Sequence, residues 1–395
     1  GTSMQLKAFW DRQVIALLLS SGLIGVAGAF VVTTLSLFLF RELAVSALWI
    51  GAFFAVCAVS EIFSDLVLGY LSDGKTKRIT ILTVCTLFSA IGALFLVFSR
   101  DYWVLMAGCV VFFGLGGAIF PQIFALTRDV ADHKGLSSNQ FNAYIRSVTS
   151  AAWVLAPPIA FVMIDLWGFA LLYTLAAIFY GLAAVVFLVG RFRGTVDLEE
   201  ENSFRFSALS PRVFSLVILV LCLLTVNMVY QINIALFVTE ELGLAATQVG
   251  FILGLGSALE IPLIILFGHL VTRVGASSLL LLCAGSAVLF FLCLPHATHF
   301  TALLLVQIPN AIWVSIVLSL PIVLLQDLLK NFHGMASSIY SSAFKFGAFA
   351  GGAVGGALVT WLGFQSTFYL CAVVSLIGGL AILATWRTGE SVHAV

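Results

Sequence analysis

"LFLFRELAVSALWIG", Leu37 to Gly51, returns as "LFVTEELGLAATQVG", Leu236 to Gly250, at an offset of 199 residues. Each copy holds an apolar run, a charged and turn-forming break, and the start of a second apolar run. The same offset carries Glu61 onto Glu260, Ile62 onto Ile261, Gly69 onto Gly268, Leu71 onto Leu270 and Arg146 onto Lys345. One register held without a gap from Leu37 to Arg146 marks an internal repeat, and the repeat organises everything else in the chain.

Of the 395 residues, 9% are charged and 62% hydrophobic, and the mean hydropathy is +1.15. A soluble domain with so few charges could not cover its own surface. Apolar stretches of about 20 residues match a helix crossing roughly 30 Å of hydrocarbon. Twelve spans are predicted: 14–40, 48–71, 79–98, 103–126, 141–164, 168–190, 213–239, 247–270, 278–294, 300–326, 335–360 and 364–386. The first is too long for the apolar core of a signal peptide and is kept as a helix. Gly1–Ser3, ahead of Met4, are set aside as a leftover of expression. The polar segment 191–212, "RFRGTVDLEEENSFRFSALSPR", divides the chain into six-helix halves, 1–190 and 213–395. The expected fold is therefore an all-α polytopic membrane protein of 12 transmembrane helices, its halves related by a pseudo-two-fold axis. A parallel repeat of this kind is a transporter architecture, with its site near the midplane between the halves.

With both termini in the cytoplasm, fourteen of the eighteen Lys and Arg fall on the cytoplasmic side, against Arg41 and Arg100 outside; Arg146 and Lys345 lie within spans. That bias sets the orientation. The net charge is zero, and topology accounts for the basic residues, which excludes a nucleic-acid partner. All seven cysteines sit in apolar runs without CxxC or Cys/His spacing and read as packing residues. With no nucleotide loop, metal cluster or nucleophile arrangement, no enzymatic activity, metal or cofactor is expected.

Five ionisable side chains lie deep in spans: Glu61 and Asp65 on the second, Arg146 on the fifth, Glu260 on the eighth and Lys345 on the eleventh. Each costs about 2.5 to 3.5 kcal/mol at membrane depth even on lenient scales, so each needs a partner or a wet cavity. Asp65, one turn from Glu61 on the same face, is an alternative partner for Lys345. A structural clamp is the plain reading of such pairs, and proton coupling or gating the functional one.

"GYLSDGKTKR", Gly69 to Arg78, resembles the loop signature of the major facilitator superfamily, matching at Gly69, Asp73, Lys77 and Arg78 and departing at Gly74 and Thr76. Its repeat partner, "GHLVTRVG" from Gly268, keeps the basic Arg273 and loses the acid. Within that superfamily the chain is similar to the sugar efflux transporter family. The carrying stretches are "GVAGAFVVTTLSLFLFREL", "PQIFALTRDVAD", "AWVLAPPIAF", and "ELGL" followed by "LEIP". The resemblance implies a bacterial inner-membrane exporter of sugars or glycosides, working by alternating access and exchanging substrate for protons. It also implies that the second span packs on the eleventh and the fifth on the eighth, which pairs Glu61 with Lys345 and Glu260 with Arg146 across the two seams. Asp73, with Arg128 at the end of the fourth span, resembles the cytoplasmic latch of the superfamily, together with Gly69, Lys77 and Arg78.

Sugars present hydroxyls around a ring edge and apolar C–H faces, so a site wants amides beside an aromatic plate. The resemblance implies that the first, fourth, seventh and tenth spans line the cavity. The seventh, "TVNMVYQINIALF", offers Asn227 and Gln231, and the tenth, "VQIPNAIWVSIV", offers Gln307, Asn310 and Trp313. Thr34 and Gln122 are further candidates. Interhelical hydrogen bonding is the plain reading of the amides, and core packing that of Trp313 and of Trp153. The fifth span's "APP", Ala156 to Pro158, points to a kink, and Gly347, Gly351 and Gly355 with Gly352 and Gly356 point to close helix approach on the eleventh. The partners expected are a small sugar or glycoside, protons and the lipid bilayer, the protein acting as a monomer. Two alternatives stay open: a drug/proton antiporter on the same scaffold, and a membrane receptor that binds ligand without moving it.

Overall fold

The computed structural model describes residues 11–72, 78–136, 138–190, 192, 209–329 and 333–386. Among them every regular element is helical. In hydrocarbon each backbone N–H and C=O has to be paired within its own segment, and an apolar helix does this without a neighbour.

Helix α1 spans Arg12–Leu43, α2 Ala47–Ser72 and α3 Arg78–Phe98. Helix α4 is assembled from pieces: Tyr102–Gly108, a π-helical turn Cys109–Phe113, a short turn Gly114–Gly116, and Ile119–Lys134. Helix α5, Ser138–Trp167, runs through Pro157 and Pro158 without interruption, and α6 spans Phe169–Val189. Helix α7, Pro211–Leu236, is capped by Ser210 and runs on into a π-helical turn, Phe237–Glu241. Then come α8, Ala246–Val274, α9, Ala276–Cys293, and α10, which is Phe300–Leu305 and Gln307–Leu328 with a break at Val306. Pro309, in the first turn of the second piece, has no N–H to offer the Leu305 carbonyl, and the ladder fails there. The trace His333–Thr385 is turned by Gly363, at φ 82°, a left-handed conformation natural only to glycine. We number its parts α11 (333–362) and α12 (364–385).

Ten helices among the described residues are long and apolar enough to cross a membrane. The other two crossings are α4, whose pieces are each too short to count, and the second pass within Ile339–Thr385, whose 47 residues reach about 70 Å. The protein is a multi-pass membrane protein, with twelve membrane-crossing helices among the described residues.

Packing shows the repeat and corrects its register. Phe38 meets Tyr173 edge to face at 5.2 Å and lies 5.4 Å from Phe169. In the other half Phe237 meets Phe368 edge to face at 5.3 Å and lies 5.7 Å from Phe364. Phe38 and Phe237 stand 199 apart, but Phe169 and Phe364, like Tyr173 and Phe368, stand 195 apart. The turns agree. Ala44 and Gly243, both at positive φ, are 199 apart, and Gly168 and Gly363 are 195 apart. Four residues are therefore gained in the first half along the fourth helix, which runs from Tyr102 to Lys134 where its counterpart runs from Phe300 to Leu328. Arg146 corresponds to Ser341 rather than to Lys345, which lies one turn further along the same face.

The chain packs as two compact units, Gly1–Leu43 with Val56–Glu199, and Ala44–Ala55 with Glu200–Val395. In the first, α6 packs on α1 and α3, and α1 on α5; in the second, α7 and α9 pack on the 333–385 segment and α8 on α10. The opening turns of α2 thus group with the second unit. Glycines permit this: a Cβ on Gly51 would strike the Gly352 carbonyl, and one on Gly356 the Ala47 carbonyl. A second row on α11 faces α7, where a Cβ on Gly351 would come within 2.7 Å of the Thr225 carbonyl and one on Gly347 within 2.8 Å of Leu224. The glycines of α11 therefore form two rows, each seated against a different helix.

Candidate functional site

Asn227 and Gln231 lie near the middle of α7, four residues apart and so on one face. Both are half-exposed, and among the described residues neither amide has a hydrogen-bond partner. Asn233 points elsewhere: it is fully buried, its Nδ2 donates to the Val229 carbonyl at 2.9 Å, and its Oδ1 has no partner.

Tyr230, between the two amides in sequence, is buried with its ring edge-on to Phe290, centroids 5.1 Å apart. Its hydroxyl accepts from Gln307 Nε2 at 3.3 Å, and Gln307 Oε1 accepts from Asn310 Nδ2 at 3.0 Å. The break at Val306 places Gln307 and Asn310 on the first turn of the second piece of α10. Asn310 is 5% exposed, and its Oδ1 has no partner among the described residues. On α8, Gly256 makes room for the pair, since a Cβ there would sit 2.7 Å from Gln307 Oε1. Glu260 lies one turn beyond Gly256 on that face. One buried chain of polar groups thus joins α7 and α10.

Trp313 is 0% exposed. Its ring lies 6.1 Å from Phe291, its carbonyl accepts from Cys283 Sγ at 3.3 Å, and its indole N–H has no partner among the described residues. Stacking on a sugar needs an open ring face; packing against α9 leaves Trp313 none. Thr34 is likewise in a core, donating to the Phe30 carbonyl and lying 2.9 Å from the Tyr173 hydroxyl.

In the first unit, half-exposed Glu61 sits against the irregular stretch of α4. A Cβ on Gly117 would lie 2.7 Å from its Cγ, and one on Gly114 would overlap the neighbouring Ser60 Oγ. Ser60 Oγ donates to the Val110 carbonyl in the π-turn. Such turns leave carbonyls poorly paired and recur at functional sites. Tyr180 of α6 is buried. Lys345 is half-buried on α11. The side chains of Asp65, Arg128 and Arg146, and all of Asp73 and Lys77, lie outside the described residues; Gly69 falls within α2.

The family model of the Major Facilitator Superfamily matches residues 17–295 and 216–394. Sugar efflux transporter A of Escherichia coli (strain K12) is 31% identical over 366 residues, 92% of this chain and 93% of its own length. The chain belongs to the sugar efflux transporter family of the major facilitator superfamily. Sugar efflux transporter A of Dickeya chrysanthemi, 30% identical over 386 residues, covers 95% of this chain and 96% of its own. Among solved structures, that of the nucleoside transporter NupG matches with a TM-score of 0.79 at 15% identity, covering 95% of this chain and 99% of its own; it shares the fold.

The start of α3 and the last piece of α4 hold a cluster not foreseen from sequence. Arg78, at the start of α3, bonds Asp129 Oδ2 at 3.1 Å and Gln122 Oε1 at 3.0 Å. Gln122 therefore belongs with Arg78 at the end of α4 and not with the mid-helix amides. Nearby, Lys134 Nζ bonds Asp11 Oδ2 at 2.6 Å while Asp11 Oδ1 caps α1 through the Gln13 N–H at 2.8 Å. The hydrogen bond from Lys134 is the main cause that holds the Asp11 carboxyl below its ordinary 3.8. A depressed carboxylate contributes stability above its unfolded value, and loses it as pH falls through the folded one. Asp11→Asn keeps a capping oxygen and removes the charge. It is expected to cost at most about 1 kcal/mol near neutrality, because the pair is partly exposed. Thermal unfolding in detergent should show this loss at neutral pH and none once the pH lies below the lowered value.

Sequence reasoning did not single out Tyr230, Tyr180, Gly256 or Asp129. For Tyr230 a signal was present: it lies three residues from Asn227 and beside Gln231, inside the same polar stretch.

Proposed function

We propose that this protein exports sugars or glycosides by alternating access, in exchange for protons, as a monomer in a bacterial inner membrane with both termini cytoplasmic. The observation that carries the reading is the pair of amides Asn227 and Gln231, half-exposed on one face of α7 and without a hydrogen-bond partner among the described residues. Each amide donates and accepts, as sugar hydroxyls do. Amides whose role is to join helices are buried and paired; these two are neither. The names of the relatives, sugar efflux transporters, support the substrate class. Glu61 and Glu260 are the carboxylates proposed to carry the proton, with Lys345 and Arg146 as their basic partners. Arg78 with the loop residues beside it is proposed to guard the cytoplasmic mouth.

The test is accumulation of labelled lactose in everted membrane vesicles energised to an acid interior. Accumulation abolished by a protonophore is the expected result. No accumulation of lactose, alongside pH-driven uptake of a cationic dye, would replace this reading by a drug/proton antiporter.

A further inference from the structure

Helix α10 runs through Pro321 without a break. Proline has no N–H, so the carbonyl four residues back, that of Val317, receives no hydrogen bond from its own helix. A bare carbonyl in hydrocarbon is costly, and its donor has to come from another segment. It comes from α11, where the Tyr340 hydroxyl donates to the Val317 carbonyl at 3.0 Å. We propose that α10 carries a hinge at Pro321 and that Tyr340 is its clasp, so that α10 is stiff there only while α11 is seated against it. Such a hinge works the same whatever the protein carries, and so stands apart from the sugar reading above.

In an unbroken α-helix each carbonyl is held by its own chain, and a neighbouring helix can leave without disturbing the ladder. At Val317 the bond runs between two helices. An O–H···O bond is lost once its atoms part by about an ångström, and the carbonyl is then free to turn outward as the helix bends at the proline. The stretch before Pro321 is already loosened. Ser319 donates its hydroxyl to the Ser315 carbonyl at 2.6 Å, and Ser315 donates its own to the Ile312 carbonyl at 2.9 Å. Back-bonding of this kind weakens and bends helices.

The rest of α10 is held. Gln307 Nε2 donates to the Tyr230 oxygen on α7, and the Trp313 carbonyl accepts from Cys283 Sγ on α9. Neither tie reaches past Pro321, so the part that swings is the end beyond it, residues 321–328. The seat of the clasp is apolar: the Tyr340 ring packs with Leu318 of α10, Ala343 of α11, and Val220 and Leu224 of α7. That packing sets where the ring lies, and the hydroxyl alone answers for the carbonyl. The two contributions can therefore be separated.

The experiment measures amide hydrogen exchange by mass spectrometry on the full-length protein in nanodiscs. The N–H groups of residues 322–325 bond across the proline to the carbonyls of residues 318–321 and so report the hinge. Tyr340→Phe keeps the ring and its packing, and is expected to speed their exchange about tenfold, the worth of one hydrogen bond. Pro321→Ala gives the Val317 carbonyl a donor within α10 and is expected to slow exchange below that of the wild type. Adding Tyr340→Phe to Pro321→Ala is expected to change nothing further. Unchanged exchange in Tyr340→Phe overturns the clasp. An equal acceleration when residue 321 is alanine overturns it too, since Tyr340 would then act by packing alone. Should Tyr340→Phe not fold, Pro321→Ala decides by itself: exchange as fast as in the wild type means that there is no hinge.

Discussion

Gly356→Leu and Gly351→Leu are each expected to leave almost no folded protein after mild detergent extraction. At Gly356 the obstacle is the Ala47 carbonyl and the Gly51 backbone; at Gly351 it is the Thr225 carbonyl and Met228 Cβ, at 2.7 and 2.5 Å from where a Cβ would be. Overpacking a core of mobile side chains costs about 1 to 3 kcal/mol. Here main chain faces main chain, no rotamer relieves the clash, and the helices have to separate. A separation of one or two ångströms also removes dispersion contacts along their whole length, which is what binds helices to one another in lipid. Gly181 and Gly285 provide the control, since a Cβ at either meets nothing within 4 Å. Leucine at those sites is expected to leave the size-exclusion profile unchanged. Equal tolerance at all four positions would show that the two glycine rows do not set the position of α11.

Transport should respond most to Asn227→Ala and Gln231→Ala. Each loss of a hydrogen bond to a bound polyol is worth about 1 to 1.5 kcal/mol, roughly tenfold in KM. The double substitution is expected to raise KM for lactose by about 100-fold if the two bonds are independent. Because neither amide has a hydrogen-bond partner among the described residues, thermal stability should not fall. Trp313→Phe should do the reverse. Its ring is buried, so the smaller side chain leaves a gap, costing stability while KM stays near the wild-type value. A Trp313 effect confined to KM would mean that the ring reaches the substrate after all. An unchanged KM in the double alanine variant would remove the amides from the site.

The architecture was legible because the bilayer enforces it. A span has to be long, apolar and helical, and these properties are written in composition. Positions within the fold were less legible. The register slip that moves the partner of Arg146 from Lys345 to Ser341 falls among apolar residues, where similarity continues at either offset; the aromatic pairs Phe38–Tyr173 and Phe237–Phe368 locate it. The irregularity of α4 was missed because glycine at 114, 116 and 117 does not announce an extra residue per turn. The break in α10 had a sign in Pro309. For the amides, residue type named the candidates, and only burial separated half-exposed Asn227 and Gln231 from the paired Gln307 and the enclosed Asn233. Trp313 failed as a plate for the same reason: mid-depth in a span fixes height in the membrane, not which way a ring faces.

Ala44 holds φ 54° at the joint between α1 and α2, where the repeat partner, Gly243, holds φ 70°. An L-residue there costs about 1 to 2 kcal/mol, which glycine avoids. Both joints nonetheless have the same hand. The bend is therefore cast by the two helix ends that it ties together, and the residue inside it takes the shape of the mould. In the first copy that mould imposes its bend on a residue less suited to it than glycine, so the connection is legible as a form where it is not legible as a sequence.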